Sequence, residues 1–329
     1  MYFEPDYQLQ ILDEATFPSS ILELEQKINA CKTTGTFKAF DNITIYYEYF
    51  LTNKSRANIV IVHGLSEFTQ KFYEFIYYLL NQGYNVFIHD QRCHGYSDRL
   101  TNEMDLLHVD KFTDYVLDLE YFIDNIVIPA STLPLYIYSQ SMGGAIATEY
   151  LSRPQNRGKV EKAVLAVPLF QPIVKQVSVP VAQASAMIGR ILVGPKKKFF
   201  ISREFDPNVA YKPEPGSSKV RFERHIGLRR ANERYRSTPM SFGWVHGSLQ
   251  ISSKLLKKKV LDNIQTPILL LSAQNDTMVQ NSKQHIFAQL CSTCQFVEIE
   301  NVGHALLAAD NNTLSKVIPM ILTFYDSRC

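Results

Sequence analysis

Two serines stand two positions apart in YIYSQSMGGA (136–145), with two glycines just behind the second. A serine hydroxyl is a weak nucleophile at neutral pH. It needs a base within hydrogen-bond reach and an exposed position. A tight turn from strand to helix supplies the exposure, and its crowding demands small residues two before and two after the serine. Centred on Ser141, those flanks are Ser139 and Gly143; centred on Ser139, they are Ile137 and Ser141. A β-branched isoleucine belongs inside the strand, so the spacing selects Ser141. Ser139 then stands where such a turn usually carries its first glycine. The run S-x-S-x-G alone also describes a serine-rich turn. The apolar strand before it separates the two readings, as do Gly144 and Ala145, which let a following helix pack close.

A nucleophile of this kind needs donors for the oxyanion it creates. The N-terminus of the following helix points backbone N–H groups at the reaction centre, and Met142 directly follows Ser141. A second donor belongs on the loop after an earlier strand. HGLSE (63–67) is that loop, and Leu65 is its donor. The base and acid follow in the order Ser, Asp, His on such a sheet. Of eight histidines, His304 in NVGHALL sits just after the last strand-like run. His63, His89, His94, His108, His225 and His246 precede any late strand, and His285 lies in a helical pattern. The acid is Asp276, at the end of LLLSAQNDTMV; it would hold the imidazole tautomer and stabilise its charged form. Asn275 carries no charge, Asp262 precedes the strand, and Asp310 follows the histidine.

These residues require elements to hold them. ITIYYEYFL (43–51) alternates and predicts an antiparallel strand. ANIVIVHG (57–64), NVFIHD (85–90), LPLYIYSQS, VEKAVLAVP (160–168), TPILLLSAQND and CQFVEIENVGH (294–304) read as further strands, several apolar on both faces. FYEFIYYLLNQG (72–83), KFTDYVLDLEYFIDNIV (111–127) and GGAIATEYLSR carry helical periodicity between them. Strand and helix in alternation imply a mostly parallel sheet covered by helices on both faces. Between Pro168 and about Lys259 the rhythm stops, with prolines, aromatics and an apolar patch, VSVPVAQASAMIGRILVG (177–194). It resumes afterwards, which favours a cap laid over the strand ends above a set of ordinary packing helices. The expected division is core 1–168, cap 169–259 and core 260–329.

The 329 residues carry a net charge of +2 from 34 basic and 32 acidic side chains, which excludes a nucleic-acid binder. GPKKKFF (194–200) and SKLLKKKV (253–260) are solvated surface or contacts for anionic lipid head groups. Five cysteines give no disulfide framework, and the lone Cys291-x-x-Cys294 has no metal-type companion. The N-terminus lacks a basic region followed by an apolar run, and no stretch reaches the ~18 apolar residues of a membrane span. The expectation is a cytoplasmic protein needing no cofactor and no metal, with peripheral contact to the inner face of the membrane left open.

Together, HGLSEFTQKFYEF, HDQRCHGYSDR (89–99), HVDKFTDYVLDLEYFI (108–123), SQSMGG, LSAQNDTMV and VGHALL resemble the α/β-hydrolase branch of bacterial lysophospholipases and monoacylglycerol lipases. The resemblance implies the α/β-hydrolase fold, a helical cap after the sixth strand, and hydrolysis of a fatty-acyl ester through an acyl-enzyme. It carries the catalytic roles to Ser141, Asp276 and His304, and the oxyanion donors to Leu65 and Met142. Ser66 and Cys93 stand where this branch commonly has glycine. Ser66, with ERYRS (233–237) and GWVHGS (243–248), leans toward the lysophospholipase type. Val181, Met187, Ile188 and Leu192 line an acyl channel or form the cap's own core. The substrate expected is a small lipid ester, first a lysophospholipid. Monoacylglycerol, another ester, an N-terminal peptide, or binding without catalysis on a hydrolase scaffold are the alternatives.

Overall fold

The computed structural model describes residues 1–174 and 177–327. Eight strands form one sheet: β1 (Lys32–Lys38), β2 (Thr44–Phe50), β3 (Ala57–Val62), β4 (Tyr84–His89), β5 (Leu135–Gln140), β6 (Lys162–Ala166), β7 (Ile268–Ala273) and β8 (Cys294–Ile299). Their spatial order is β1-β2-β4-β3-β5-β6-β7-β8. β2 pairs antiparallel with β1 and β4, and every pairing from β4 to β8 is parallel.

The continuous apolar runs mark strands buried on both faces. In β3, Val60 and Val62 join one core while Ile59 and Ile61 join the other. The first core takes residues of the helices Thr113–Phe122, Met142–Leu151 and Asn281–Leu290. The second takes those of Phe17–Cys31, Tyr73–Asn81 and Asn311–Asp326.

Segment 169–259 lies between β6 and β7 and holds the helices Val179–Leu192, Lys219–Ala231 and Phe242–Leu255. Among its described residues there is no strand, only isolated bridges such as Lys198 with Ser241. The first and third of these helices pack together, and the third rests on Met142–Leu151. Lys254 on it pairs with the buried Glu149 at 2.6 Å.

Val181, Met187, Ile188 and Leu192 are neither channel lining nor core: all four point outward and are exposed. Cys31, Cys93, Cys291 and Cys294 are free thiols, and Cys329 lies outside the described residues. Burial pushes the Cys294 thiol up to about 12, so it stays protonated and inert.

Candidate active site

The apolar strand β5 delivers its chain end into a sharp turn. Ser141 occupies φ 54°, ψ −118°, a conformation that costs a non-glycine residue of order 1–3 kcal/mol. The surrounding hydrogen bonds hold it there. Its N–H donates to Ala166 O at 2.9 Å, and its carbonyl accepts from Leu169 N–H at 2.8 Å and Gly144 N–H at 2.9 Å. Both glycines behind it are required by contact. A Cβ on Gly143 would lie 1.9 Å from Val62 O, and one on Gly144 would lie 2.6 Å from Pro168 Cβ. Ser139 is fully buried and its hydroxyl donates to Val164 O on the neighbouring strand at 3.0 Å. That bond accommodates the hydroxymethyl group in place of the usual glycine.

Three residues far apart in the chain meet here. His304 Nε2 lies 2.9 Å from Ser141 Oγ, and His304 Nδ1 lies 2.7 Å from Asp276 Oδ2. The loop after β7 orients the carboxylate, since Asp276 Oδ1 accepts from the N–H groups of Met278 at 2.7 Å and Val279 at 3.0 Å. The Asp276 side chain is sealed from solvent, whereas that of His304 is 19% exposed. An acceptor at Nδ1 leaves Nε2 free to receive the Ser141 proton, the arrangement of a nucleophile, base and orienting acid.

The loop carrying Leu65 lies against the serine, since a Cβ on Gly64 would come within 3.0 Å of Ser141 Cβ. The N–H groups of Leu65 and Met142 have no protein acceptor among the described residues. Ser66 sits at φ 59°, the left-handed region in which glycine is unstrained.

Two residues that the sequence reading left without a role hold this loop. Glu67 Oε2 accepts from Gly64 N–H at 2.6 Å, and its Oε1 accepts from Gln140 Nε2 at 2.6 Å and from Lys71 Nζ. Burial opposes the charge of Glu67, yet Lys71 and these donors hold its carboxyl below the usual range. Glu67 therefore ties the loop carrying Leu65 to Gln140, the residue preceding Ser141. His63 Nδ1 donates to Gly64 O at 2.8 Å while its Nε2 accepts from Gln91 N–H at 2.9 Å. Burial pulls His63 down to about 4, so the ring stays neutral and welds the loops after β3 and β4. An acidic residue followed four places later by lysine, directly behind a buried strand, is the signal that points to Glu67.

Of the other histidines, His89, the last residue of β4, and His94 are buried. His108 bonds Ser241 Oγ at 2.8 Å, and His285 lies 3.8 Å from Glu298. Among the described residues, no group of three or more His, Cys, Asp or Glu side chains is placed to hold a metal ion.

Segment 169–259 lines an open apolar cavity of about 350 Å³, walled in part by Ile173, Val174, Phe199, Met240, Trp244 and Leu249.

Known proteins share this architecture. A soluble variant of monoglyceride lipase from Saccharomyces cerevisiae, solved with a substrate analogue, superposes with a TM-score of 0.72 at 18% identity, covering 89% of this chain and 94% of that one. A carboxyl esterase from Bacillus coagulans superposes with a TM-score of 0.70 at 14% identity, covering 90% and 98%. These likenesses establish the α/β-hydrolase fold. In sequence, the chain is 26% identical over 287 residues to a probable lysophospholipase L2 of Haemophilus influenzae, spanning 86% of this chain and 88% of that protein. It is 28% identical over 262 residues to lysophospholipase L2 of Escherichia coli, spanning 77% and 74%. The model of the family described as serine aminopeptidase, S33, matches residues 53–311. That match spans well over half of the sequence, and the chain belongs to the serine aminopeptidase S33 family of α/β-hydrolases.

Proposed function

We propose that this protein is a serine ester hydrolase that cleaves the acyl ester of a single-chain lipid, in the first place a lysophospholipid. The observation that carries the reading is the continuous hydrogen-bonded line from Asp276 through His304 to Ser141. Ser141 Oγ attacks the ester carbonyl as His304 Nε2 takes its proton. The C=O electron pair moves onto oxygen, where the N–H groups of Leu65 and Met142 receive the oxyanion. The tetrahedral intermediate collapses, the ester C–O bond breaks, and His304 returns the proton to the leaving alcohol. Water then attacks the acyl-enzyme by the same route, and the fatty acid leaves. Asp276 keeps the proton on Nδ1 and stabilises the imidazolium in each half.

Segment 169–259 is the cap in this reading, and its apolar cavity holds the acyl chain. The names of the curated relatives support lipid esters over other substrates: lysophospholipase L2 in two bacteria, and monoglyceride lipase in Saccharomyces cerevisiae and Homo sapiens. The family's description as an aminopeptidase keeps peptides in the substrate panel.

The test compares lysophosphatidylcholine, monoacylglycerol and an aminoacyl anilide, at matched acyl length for the lipids. The expected result is preferred turnover of lysophosphatidylcholine, and fluorophosphonate labelling that Ser141→Ala abolishes. In that variant turnover falls by about 10⁴-fold or more. Faster monoacylglycerol turnover would redirect the substrate assignment, and undiminished turnover by Ser141→Ala would remove the mechanism.

A further inference from the structure

β8 is the last strand of the sheet, so the loop that leaves it has strand neighbours on one side only. That loop, 300–310, carries His304. Toward the sheet it is tied to the loop after β7. Asn275 N–H donates to Val302 O at 3.0 Å, and Asn301 N–H donates to Gln274 Oε1 at 3.1 Å. Those bonds fix the stretch before His304. The stretch after it is gripped from another direction, by the segment leading into the helix Lys219–Ala231. Asp310 N–H donates to Gly216 O at 2.8 Å, Ser218 N–H donates to Ala308 O at 3.3 Å, and Ser217 bridges Ala309 in antiparallel pairing. Gly216 is fitted to this contact. It sits at φ 66°, and a Cβ there would lie 2.6 Å from Asn301 O. Residues 216–218 therefore touch the histidine loop both before and after His304.

One carboxylate closes this clasp from the N-terminal segment. Glu14 Oε1 accepts from Ser218 Oγ, and Glu14 Oε2 accepts from Asn311 N–H at 3.4 Å. Asn311 opens the helix Asn311–Asp326, where a negative charge is favourable. Arg221 lies 3.9 Å from Glu14 Oε1 and donates to Ala309 O at 3.3 Å, so the carboxylate has a cation beside it. Glu14 thus holds both halves of the clasp, Ser218 on one and Asn311 on the other. It precedes the family match, which begins at residue 53. The bonds at 308–311 set where the histidine loop ends, and His304 must keep Nε2 within 2.9 Å of Ser141 Oγ. A misplacement of about 1 Å at such a contact costs about 100-fold in rate, even when its cause lies far from the chemistry.

We propose that Glu14 is a positioning residue for His304: by joining Ser218 to Asn311 it keeps the histidine loop where Nε2 meets Ser141 and Nδ1 meets Asp276. The service of His304 as a base rests on the function proposed above. Its placement against Asp276 does not, and the test reads the two separately.

The full chain is compared with Glu14→Ala, Glu14→Gln and Ser218→Ala, each held well below its melting temperature. One readout is the kinetics on a soluble ester. The other is the low-field proton resonance of His304 Nδ1–H, identified by its absence from His304→Ala. The Glu14 side chain is 35% exposed and lies outside both apolar cores, so its truncation leaves the fold in place. Glu14→Ala is expected to lower kcat about tenfold with KM little changed. The Nδ1–H resonance moves upfield or broadens as the bond to Asp276 loosens. Glu14→Gln keeps an acceptor for Asn311 N–H and a partner for Ser218, and so restores most of the rate. Ser218→Ala breaks the same contact from the other side, and adding Glu14→Ala to it costs little more. A Glu14→Ala protein that melts earlier yet keeps the wild-type kcat overturns the proposal, because Glu14 then contributes stability alone. So does a loss carried by KM, additive losses in the double variant, or an unmoved resonance. A wild-type chain that hydrolyses no ester, with a resonance that still shifts in Glu14→Ala, refutes the proposed function and leaves the placement of His304 by Glu14 standing.

Discussion

Ser66, Cys93 and Ser141 share left-handed backbone, at φ 59°, 64° and 54°. At all three a glycine would be unstrained, and the backbone angle is the physical reason. Here side chains have been accepted and secured instead, as when Cys93 Sγ accepts from Leu100 N–H at 3.3 Å. Ser139 differs: its strain-free hydroxyl satisfies a strand carbonyl. Ser139→Gly removes that buried bond and adds chain entropy, so stability falls by about 1–2 kcal/mol. Turnover persists, because the hydroxyl points to Val164 O and away from the nucleophile's partners. Urea unfolding together with ester kinetics checks both halves, and an inactive but folded Ser139→Gly protein would mean the turn has been misread. Glu67→Gln behaves in the opposite way. Its amide cannot accept from Gly64, Gln140 and Lys71 together, and it turns an NH₂ toward a donor. With the oxyanion loop loosened, kcat on a soluble ester falls by about 10- to 100-fold while KM changes little. Equal loss in kcat/KM carried by KM alone would show that Glu67 serves substrate binding instead.

At the scale of elements, the close approach of Met142–Leu151 to β3 is what presents the serine. Gly143→Ala places a methyl group against the Val62 carbonyl, with a central strand on one side and a packed helix on the other. Neither yields cheaply, so the variant loses about 3 kcal/mol or more and its fluorophosphonate labelling with it. A wild-type melting temperature for Gly143→Ala would contradict this packing. The strands that carry the site were legible because burial on both faces demands unbroken apolar runs, as in β3 and β7. The meeting of Ser141, Asp276 and His304 was legible too, since Ser141 and Asp276 each follow such a run and His304 follows the last strand-like segment, β8. β1 was not: in KTTGTFK only Phe37 is buried, and an edge strand with one buried residue leaves no alternation to read. The helix Phe17–Cys31 was also missed, although Phe17, Ile21, Leu24 and Ile28 trace one buried face. The pattern over 111–127 reads as a single helix. The structure gives an α-helix to Phe122 and then a π turn, Ile123–Val127, before Pro129. Apolar spacing cannot distinguish that one-residue widening. The outward face of Val179–Leu192 was misread for a related reason. Periodicity reports which residues share a face and says nothing of which way the face looks.

Across the whole molecule, segment 169–259, the proposed cap, is held unequally. Its first helix offers a free outer face, whereas its second helix, Lys219–Ala231, is bolted to distant parts of the chain chiefly by Arg221. Arg221 is nearly sealed from solvent. It donates to Glu74 at 2.7 Å, Asn311 Oδ1 at 2.9 Å, Leu12 O at 3.2 Å and Ala309 O at 3.3 Å, and lies 5.0 Å from the Phe17 ring. One residue thus joins the cap, the N-terminal segment, the helix after β3 and the C-terminal helix. Beside it, Arg224 pairs with Glu25, and Ser218 bonds Glu14. Of these partners, Leu12, Glu14, Phe17 and Glu25 lie before residue 53, where the family match begins, whereas Glu74, Ala309 and Asn311 lie within it. Arg221→Leu leaves the Glu74 carboxylate without its cation in a largely buried setting, and removal of one partner of such a pair costs about 3 kcal/mol. The loss concentrates at the cap's attachment, so limited proteolysis cleaves within 203–236 in the variant at temperatures where the wild-type chain resists. Arg221→Leu/Glu74→Leu recovers part of the stability, because it removes the stranded charge and supplies apolar contact in its place. The double variant still cleaves early, since the bonds to Asn311, Leu12 and Ala309 are gone. Identical cleavage patterns and melting temperatures for wild type and Arg221→Leu would show that the cap is held by its apolar contacts alone and that the arginine is incidental.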